Sequence, residues 1–296
     1  MTAPIDYVFT FVLPKADKEQ FAKLCQHFHS HRAATLSKDK AVDIYLTTDD
    51  ADGIRQGIAK ELAQIDVTAD YCLQTVEGRK KTLLICDMDS TLIGQECIDE
   101  LADYAGVKDR VSQITERAMR GEIGFDGALR ERVSLLKGLP LTVIEDCYKD
   151  RIHLNDGARI LARTMASHGA ETVIVSGGFT VFTSRVAKAA GFSHHHANVL
   201  LESGDTLSGN VQEPILGRDA KKSRLMEYSA PLGGPNTAIA IGDGANDLAM
   251  IQSAGLGIAF YAKPAVTAAA HCGIDHTDLT TALYFQGYRE SEFVKD

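Results

Sequence analysis

No basic stretch longer than a few residues occurs in this 296-residue chain, and its formal net charge is -9. That balance argues against nucleic acid or an anionic membrane as the main partner. Small phosphorylated metabolites stay open, because they need only local positive charge. No apolar run approaches the ~20 residues that span a bilayer. The opening MTAPIDYVF lacks the charged and apolar regions of a secretion signal. Cys25, Cys72, Cys86, Cys97, Cys147 and Cys272 show neither C-x-x-C pairing nor metal-ligand spacing. Several lie in apolar patterns, which predicts reduced, buried thiols in a soluble cytoplasmic protein. Internal repeats and low-complexity tracts are also missing. The length suffices for one large α/β domain or for two domains with proper cores.

The most informative segment is LLICDMDST, residues 83 to 91, where an apolar run drives into Asp87 and Asp89. Two carboxylates one residue apart at the end of a buried strand repel unless a cation sits between them or one is protonated. A second apolar strand, Thr172 to Val175, ends in Ser176-Gly177-Gly178, and a third, Ala238 to Ile241, ends in GDGAND. In an open parallel sheet the carboxyl ends of the strands form one crevice, so these three strand ends are expected to converge.

Residues 1 to 78 read as a separate unit. The pattern predicts strands at 7–13 and 66–75, helices at 17–29 and 53–64, and two strands within 33–47 around Ser37-Lys38-Asp39-Lys40. That order is the ferredoxin-like plan and resembles the ACT-type domain. It serves as a structural or dimerising appendage or as a regulatory unit, and its sheet face or edge offers a pairing surface for a homodimer. Glu77 to Lys81 is the expected exposed linker, with a catalytic domain at 79–296. Between the strands at 83 and 172, four segments at 95–105, 108–120, 125–136 and 141–149 carry apolar residues at helical spacing. A βα crossover needs one helix, so the surplus predicts a helical cap inserted at about 94–153. The crossover helix follows at 154–168, and a hairpin is expected from 197–201 and 206–211. The fold class is therefore α/β: a Rossmann-like doubly wound parallel sheet with a helical cap, preceded by a small α+β unit.

Asp87, first after the strand, is the candidate nucleophile. Asp89 is placed to protonate a leaving oxygen and then to deprotonate water. Thr91 either supports Asp89 by hydrogen bonding or is a solvated turn residue. Oxygen-only ligation by few protein groups suits Mg²⁺, with Asp87, Asp89 and Asp243 as expected ligands. Asp247 either orients a ligand water or caps the following helix. Asn246 can donate its amide to phosphate, while Gly242 and Gly244 are expected to permit a positive-φ turn. Ser176 and Gly177 offer neutral donors as a phosphate cradle. Lys221, with Lys222 its neighbour and alternative, supplies the cation. His194, His195 and His196 cannot all face one ion from an extended segment and read as surface or core residues.

DMDST, VSGGF, the lysine of DAKKSRL and GDGAND together resemble the four motifs of the haloacid dehalogenase superfamily, phosphatase branch. DMDSTLIGQECIDELA and ITERAMRGEIGFDGALRERVSLLKGLP are similar, within it, to the phosphoserine phosphatase family. The resemblance implies Mg²⁺-dependent hydrolysis of O-phosphoserine through an aspartyl-phosphate, the last step of serine biosynthesis. It also implies that Glu96 and Arg132 hold the substrate's amino and carboxylate groups, with Met119 and Phe125 lining the cap. A carboxylate and a guanidinium neutralise a zwitterion end for end, which agrees. A phosphotransferase on this scaffold, or a receiver phosphorylated at Asp87, are the alternatives to be separated by turnover.

Overall fold

The computed structural model of the protein describes residues 5–29 and 31–295. The chain opens with β1 (Ile5–Val12), α1 (Lys18–His27), β2 (Arg32–Ser37), β3 (Ala41–Thr48), α2 (Ala51–Gln64) and β4 (Asp70–Thr75). Asp17 caps α1 by accepting from the amides of Glu19 and Gln20. Asp50 does the same for α2 through Gly53, so that helix starts two residues before its expected position. The four strands form an antiparallel sheet in the order β2-β3-β1-β4, the ferredoxin-like arrangement. Alternation along β1 explains its packing. Phe9, Phe11 and Leu13 join Leu24, Ile58 and Leu62 under the two helices. Val12 faces the other way and joins Leu36, Ala41 and Cys72 in the core of the rest of the chain. The helices and the main core thus cover the sheet over β1 and β4, while Arg32, Ala33 and Thr35 of the edge strand β2 are exposed.

The remainder is built on a parallel six-stranded sheet, order β12-β11-β10-β5-β6-β7. Its strands are β5 (Leu83–Cys86), β6 (Glu171–Phe179), β7 (His194–Asn198), β10 (Ala238–Gly242), β11 (Leu256–Phe260) and β12 (Cys272–Ile274). The central strands are continuous apolar runs because helices cover both faces. Leu83, Ile85, Val173, Val175, Ala238 and Ala240 pack with Leu225 of α9 (Arg218–Ser229) and Met250 of α10 (Leu248–Ser253). Leu84, Cys86, Ile174 and Ile241 point oppositely, toward Leu161 of α7 (Ala158–Ser167) and Phe182 of α8 (Thr180–Ala190). Strand order reverses between β5 and β10, which puts the ends of those strands at the switch point where open α/β sheets bind ligands.

Between β5 and β6 lie α3 (Cys97–Tyr104), α4 (Lys108–Met119), α5 (Phe125–Ser134) and α6 (Thr142–Arg151) ahead of α7. The segments that enter and leave this four-helix group pair with each other through an antiparallel bridge, Ile93 to Leu154. The hairpin of β8 (Leu200–Ser203) and β9 (Thr206–Val211) bonds onto the group: the Leu207 amide donates to Leu139 and the Gly138 amide to Leu207. Ala197, expected in that hairpin, belongs to β7 instead, as does the three-histidine run. The short helices α11 (Pro264–Thr267) and α12 (Thr281–Phe285) complete the fold.

Within the expected linker, Glu77, Gly78 and Lys80 are exposed but Arg79 is not. Arg79 is 9 % exposed and clamps the two sheets together. Its Nη1 and Nη2 each donate at 2.6 Å to the carboxylate of Asp43 on β3, and its Nε and Nη2 donate to the carbonyls of Phe285 and Tyr284. Asp70 on β4 accepts from the Asp275 and His276 amides and the Thr277 hydroxyl beyond β12. A residue that reads as solvated charge in sequence is here the bidentate half of a buried pair.

Candidate active site

The turn after β5 sets the site. The Asp87 amide still donates to Ile241, 3.0 Å away, so Asp87 is held as an extension of the strand pair with β10. Asp87 is buried, and its Oδ1 accepts from the Met88 amide at 2.7 Å. Met88 then accepts from the amides of Thr91, Leu92 and Ile93, closing a tight turn in which Ser90 takes a left-handed φ of 55°. That conformation is uncommon outside glycine.

Asp87 Oδ2 lies 2.5 Å from the ammonium of Lys221, which also donates to Asp247 Oδ1 at 2.6 Å. Lys221, near the start of α9, is 1 % exposed, whereas Lys222 faces solvent. The one-residue ambiguity between them falls to Lys221. Burial alone would lower the pKa of Lys221, but the carboxylates of Asp247 and Asp87 outweigh it and hold the pKa above the ordinary lysine range. Oxygens of Asp87, Asp243 and Asp247 lie within 4.8 Å of one another. Burial, and then the charge of Asp247, pushes Asp87 well above the usual carboxylate range. The same two causes bring Asp243 up to about 6. One ammonium cannot neutralise three carboxylates, so this oxygen-only donor set fits a divalent cation.

The carboxylates that cluster are those of Asp87, Asp243 and Asp247. Asp89 directs its carboxylate elsewhere: Oδ1 accepts from the Cys97 amide at the start of α3 at 3.1 Å, and Oδ2 from the Ser176 hydroxyl at 3.3 Å. Burial raises Asp89 above its ordinary pKa, against the lowering effect of its bonds with Cys97. Burial thus favours a proton on Asp89, as it does on Asp87.

Three further expectations are corrected. Thr91, fully buried, donates to Asp243 Oδ1 at 3.0 Å rather than to Asp89. Asp247 makes no capping bond to α10, since its Oδ2 accepts from the Gly244 amide at 3.0 Å. Gly242 and Gly244 do not have positive φ. A Cβ on Gly242 would lie 2.4 Å from the Asp247 carboxyl carbon and 2.6 Å from its Cβ, which leaves room only for glycine, whereas one on Gly244 would meet only the Asn246 side-chain oxygen closely. Asn246 is half-buried beside this turn.

Ser176 is buried, with Gly177 half-buried beside it at the end of β6. The cap reaches this point through Phe125, the first residue of α5, whose Cζ would lie 3.2 Å from a Cβ on Gly177. Glu96, just ahead of α3, accepts from the Ser90 hydroxyl at 2.6 Å. Loss of water around its carboxyl, and then the charge of Asp89, pushes its pKa up to about 7. Arg132 on α5 is half-buried, bonded by Nη1 to the Thr115 hydroxyl at 3.4 Å and by Nε to the Ala128 carbonyl at 3.3 Å. Burial lowers its pKa while Asp99, Glu96 and Asp89 oppose that shift. Met119 ends α4, and its side chain lies outside the described residues. Ser90, Thr115 and Cys97 carry no chemical signature in sequence, and only their neighbours in space give them a part.

Comparison with known proteins gives the family. The profile of the haloacid dehalogenase-like hydrolases matches residues 84–252. A phosphoserine phosphatase of Archaeoglobus fulgidus is 43 % identical over 232 residues, covering 78 % of this chain and 67 % of that protein. One from Streptococcus thermophilus is 47 % identical over 200 residues, covering 67 % of this chain and 93 % of its own length. Among solved structures, a Salmonella enterica hydrolase of the same family superposes with a TM-score of 0.84 at 27 % identity, covering 95 % of this chain and 98 % of that one. A phosphoserine phosphatase with bound substrate superposes with a TM-score of 0.64 at 38 % identity, covering 70 % and 98 %.

Proposed function

This chain belongs to the haloacid dehalogenase-like hydrolases, and from that premise we propose that it is a phosphomonoesterase that hydrolyses O-phosphoserine to serine and phosphate. The observation that carries the proposal is the division of environments between Asp87 and Asp89. Asp87 lies against Lys221 and the carboxylate cluster, and Asp89 lies against Ser176 and the Cys97 amide. Burial raises both carboxyl groups, but only Asp87 has an ammonium and further carboxylates for a cation beside it, so a bound cation would hold Asp87 ionised and leave Asp89 to carry the proton.

In this mechanism Ser176, Gly177, Lys221 and Asn246 receive the phosphate. Glu96 and Arg132 take the ammonium and carboxylate of the substrate, and Phe125 and Met119 close over it. A carboxylate oxygen of Asp87 attacks phosphorus as the bond to the serine oxygen breaks, and the proton of Asp89 passes to that oxygen. Asp89, now ionised, takes a proton from water, which attacks phosphorus and frees Asp87. Little else is asked of the protein, because phosphoryl transfer is mostly positioning and charge stabilisation. Mg²⁺ held by Asp87, Asp243 and Asp247 would supply charge neutralisation for the phosphate oxygens. Thr91 orients Asp243 for that purpose.

We divide the chain at Gly78, with the cap at about 94–153, a reading supported by the bridge between Ile93 and Leu154. For a homodimer through the N-terminal sheet, the edge strand β2, with Arg32, Ala33 and Thr35 exposed, is the surface that fits. No helix among the described residues is long and apolar enough to cross a membrane, which is compatible with action on a small metabolite in the cytoplasm.

The test is phosphate release with Mg²⁺ and no acceptor, from phosphoserine, phosphothreonine, p-nitrophenyl phosphate and sugar phosphates. Repeated turnover with phosphoserine preferred is expected. A single phosphorylation without turnover indicates a receiver, and dependence on an added hydroxyl acceptor indicates a phosphotransferase.

A further inference from the structure

The end of β6 is irregular, and one buried side chain answers that irregularity. Residues Val173, Ile174 and Val175 pair in register with His194, His195 and His196, but the next pair is Phe179 with Asn198. Three residues on β6, Ser176-Gly177-Gly178, therefore stand against one on β7, Ala197, and form a bulge. Bulges re-aim side chains at the cost of ladder bonds. Here the carbonyl of Gly177 is bonded by the side chain of Asn198, whose Nδ2 donates at 2.9 Å. Asn198 is 3 % exposed, so its own polar atoms must be satisfied within the protein. Its Oδ1 accepts from the Leu216 amide at 2.7 Å, and Nδ2 also reaches the Leu216 carbonyl at 3.3 Å.

These bonds form a chain. The Leu216 amide donates to Asn198, and Asn198 donates to the Gly177 carbonyl. The amide of the same peptide plane, that of Gly178, donates to Ser176 Oγ at 2.9 Å. Ser176 in turn donates to Asp89. Leu216 stands just ahead of α9, which carries Lys221 to Asp87. Bonds in such a series polarise one another in the same sense.

We infer that Asn198 is a positioning residue for phosphate binding: it fixes the Ser176–Gly177 bulge relative to the segment that presents Lys221, so that the neutral and the cationic phosphate donors keep one spacing. The inference rests on the reading that Ser176 and Gly177 cradle the phosphate. Because it acts on the phosphate end, its loss is blind to the substrate's amino-acid end, unlike loss of a cap residue.

Asn198→Ala is expected to lower kcat/KM by about ten- to a hundredfold, below the direct loss of a transition-state donor. The fall should be equal for phosphoserine and p-nitrophenyl phosphate, with weaker inhibition by inorganic phosphate. Asn198→Asp keeps an acceptor for Leu216 but has no donor for Gly177, so it should be as impaired as the Ala variant. Recovery in the Asp variant to within about twofold of the intact enzyme, or damage confined to phosphoserine, overturns the inference. If the variants do not fold, amide exchange of the intact protein decides. Beryllofluoride with Mg²⁺ should slow exchange at both Gly178 and Leu216, and an unchanged Leu216 overturns the inference. Ser176→Ala separates the two levels. Full activity in that variant removes the cradle and the inference with it, whereas an inactive Ser176 variant beside a fully active Asn198 variant removes the inference alone.

Discussion

Asp87→Asn keeps the shape of the side chain but removes the attacking charge and one candidate metal ligand. Turnover of phosphoserine is expected to fall by at least ~1000-fold. Beryllofluoride with Mg²⁺ should inhibit the intact enzyme and leave the Asn variant unaffected, and retention of a tenth of the activity would exclude Asp87 as nucleophile. Glu96 gives a pH dependence. Its carboxyl, pushed up to about 7, takes up a proton as pH falls through that value and loses the charge that pairs with the substrate ammonium. KM for phosphoserine should therefore rise on going from pH 8 to pH 6. The phosphate of the substrate titrates near pH ~6 as well, so p-nitrophenyl phosphate is the reference. Glu96→Gln should raise KM for phosphoserine at high pH and abolish the part of the pH dependence that the reference lacks. An unchanged profile in the Gln variant would assign the ammonium to another group.

The elements around the site divide into a core that handles phosphate and a cap that reads the rest. Arg132 on α5 is held by Thr115 of α4, so its guanidinium is positioned before substrate arrives. Arg132→Ala should raise KM for phosphoserine and cost roughly 2 to 4 kcal/mol in kcat/KM, with little effect on p-nitrophenyl phosphate. Equal damage to both would make Arg132 a structural residue of the cap. In the turn after β10, burial and the charge of Asp247 push the Asp243 carboxyl up to about 6. A carboxylate whose pKa is raised on folding contributes stability that is present at low pH and lost as pH rises through the folded value. Between about pH 4 and 6 this group therefore weakens the metal-free protein, and a cation that pairs with it should reverse the loss. Mg²⁺ is expected to raise Tm more at pH 8 than at pH 5, measured by calorimetry after chelation and readdition. Equal increments at both pH values would place Mg²⁺ away from the carboxylate cluster.

At the scale of the whole molecule, the N-terminal sheet is bound to the catalytic sheet by groups that water does not reach. Arg79→Ala leaves Asp43, 1 % exposed, without its partner. Breaking a buried pair from one side costs about 3 to 5 kcal/mol, so urea denaturation should show a loss of that order. The kcat measured well below the transition should be unchanged, because neither residue lies in the site. Truncation before Arg79 removes Asp43 and Asp70 together and uncovers apolar side chains of the main core. A truncated chain is thus expected to be poorly stable or insoluble, and one that folds with full stability would show the interface to be dispensable. A large loss of kcat in folded Arg79→Ala would mean that the junction reaches the active site through β12 and the loops after it.

Patterns local in sequence were readable in advance. The fully apolar strands, the four cap helices and the βαββαβ order follow from periodicity, because each residue's burial repeats along its own element. The convergence of Asp87, Ser176 and Asp243 was readable too, since parallel strands end on one side of a sheet. The meeting of the Asp247 carboxylate with those of Asp87 and Asp243 was not, for it depends on how far the Gly242–Asp247 turn folds back. Nor was the shift of Thr91 to Asp243, which needs two strand ends at a fixed distance. Arg79 looked like linker charge because nothing within a few residues of it declares Asp43, 36 positions away. Asn198 stands in a strand whose residues give no hint of a partner, until the register of β7 against β6 opposes it to a bulge. Sequence thus determined which groups are available and which end of the sheet they occupy. Strand register, turn handedness and the docking of the two sheets decided which carboxylate meets which cation, because hydrogen bonds and charge pairs act over a few ångströms in space whatever the separation along the chain.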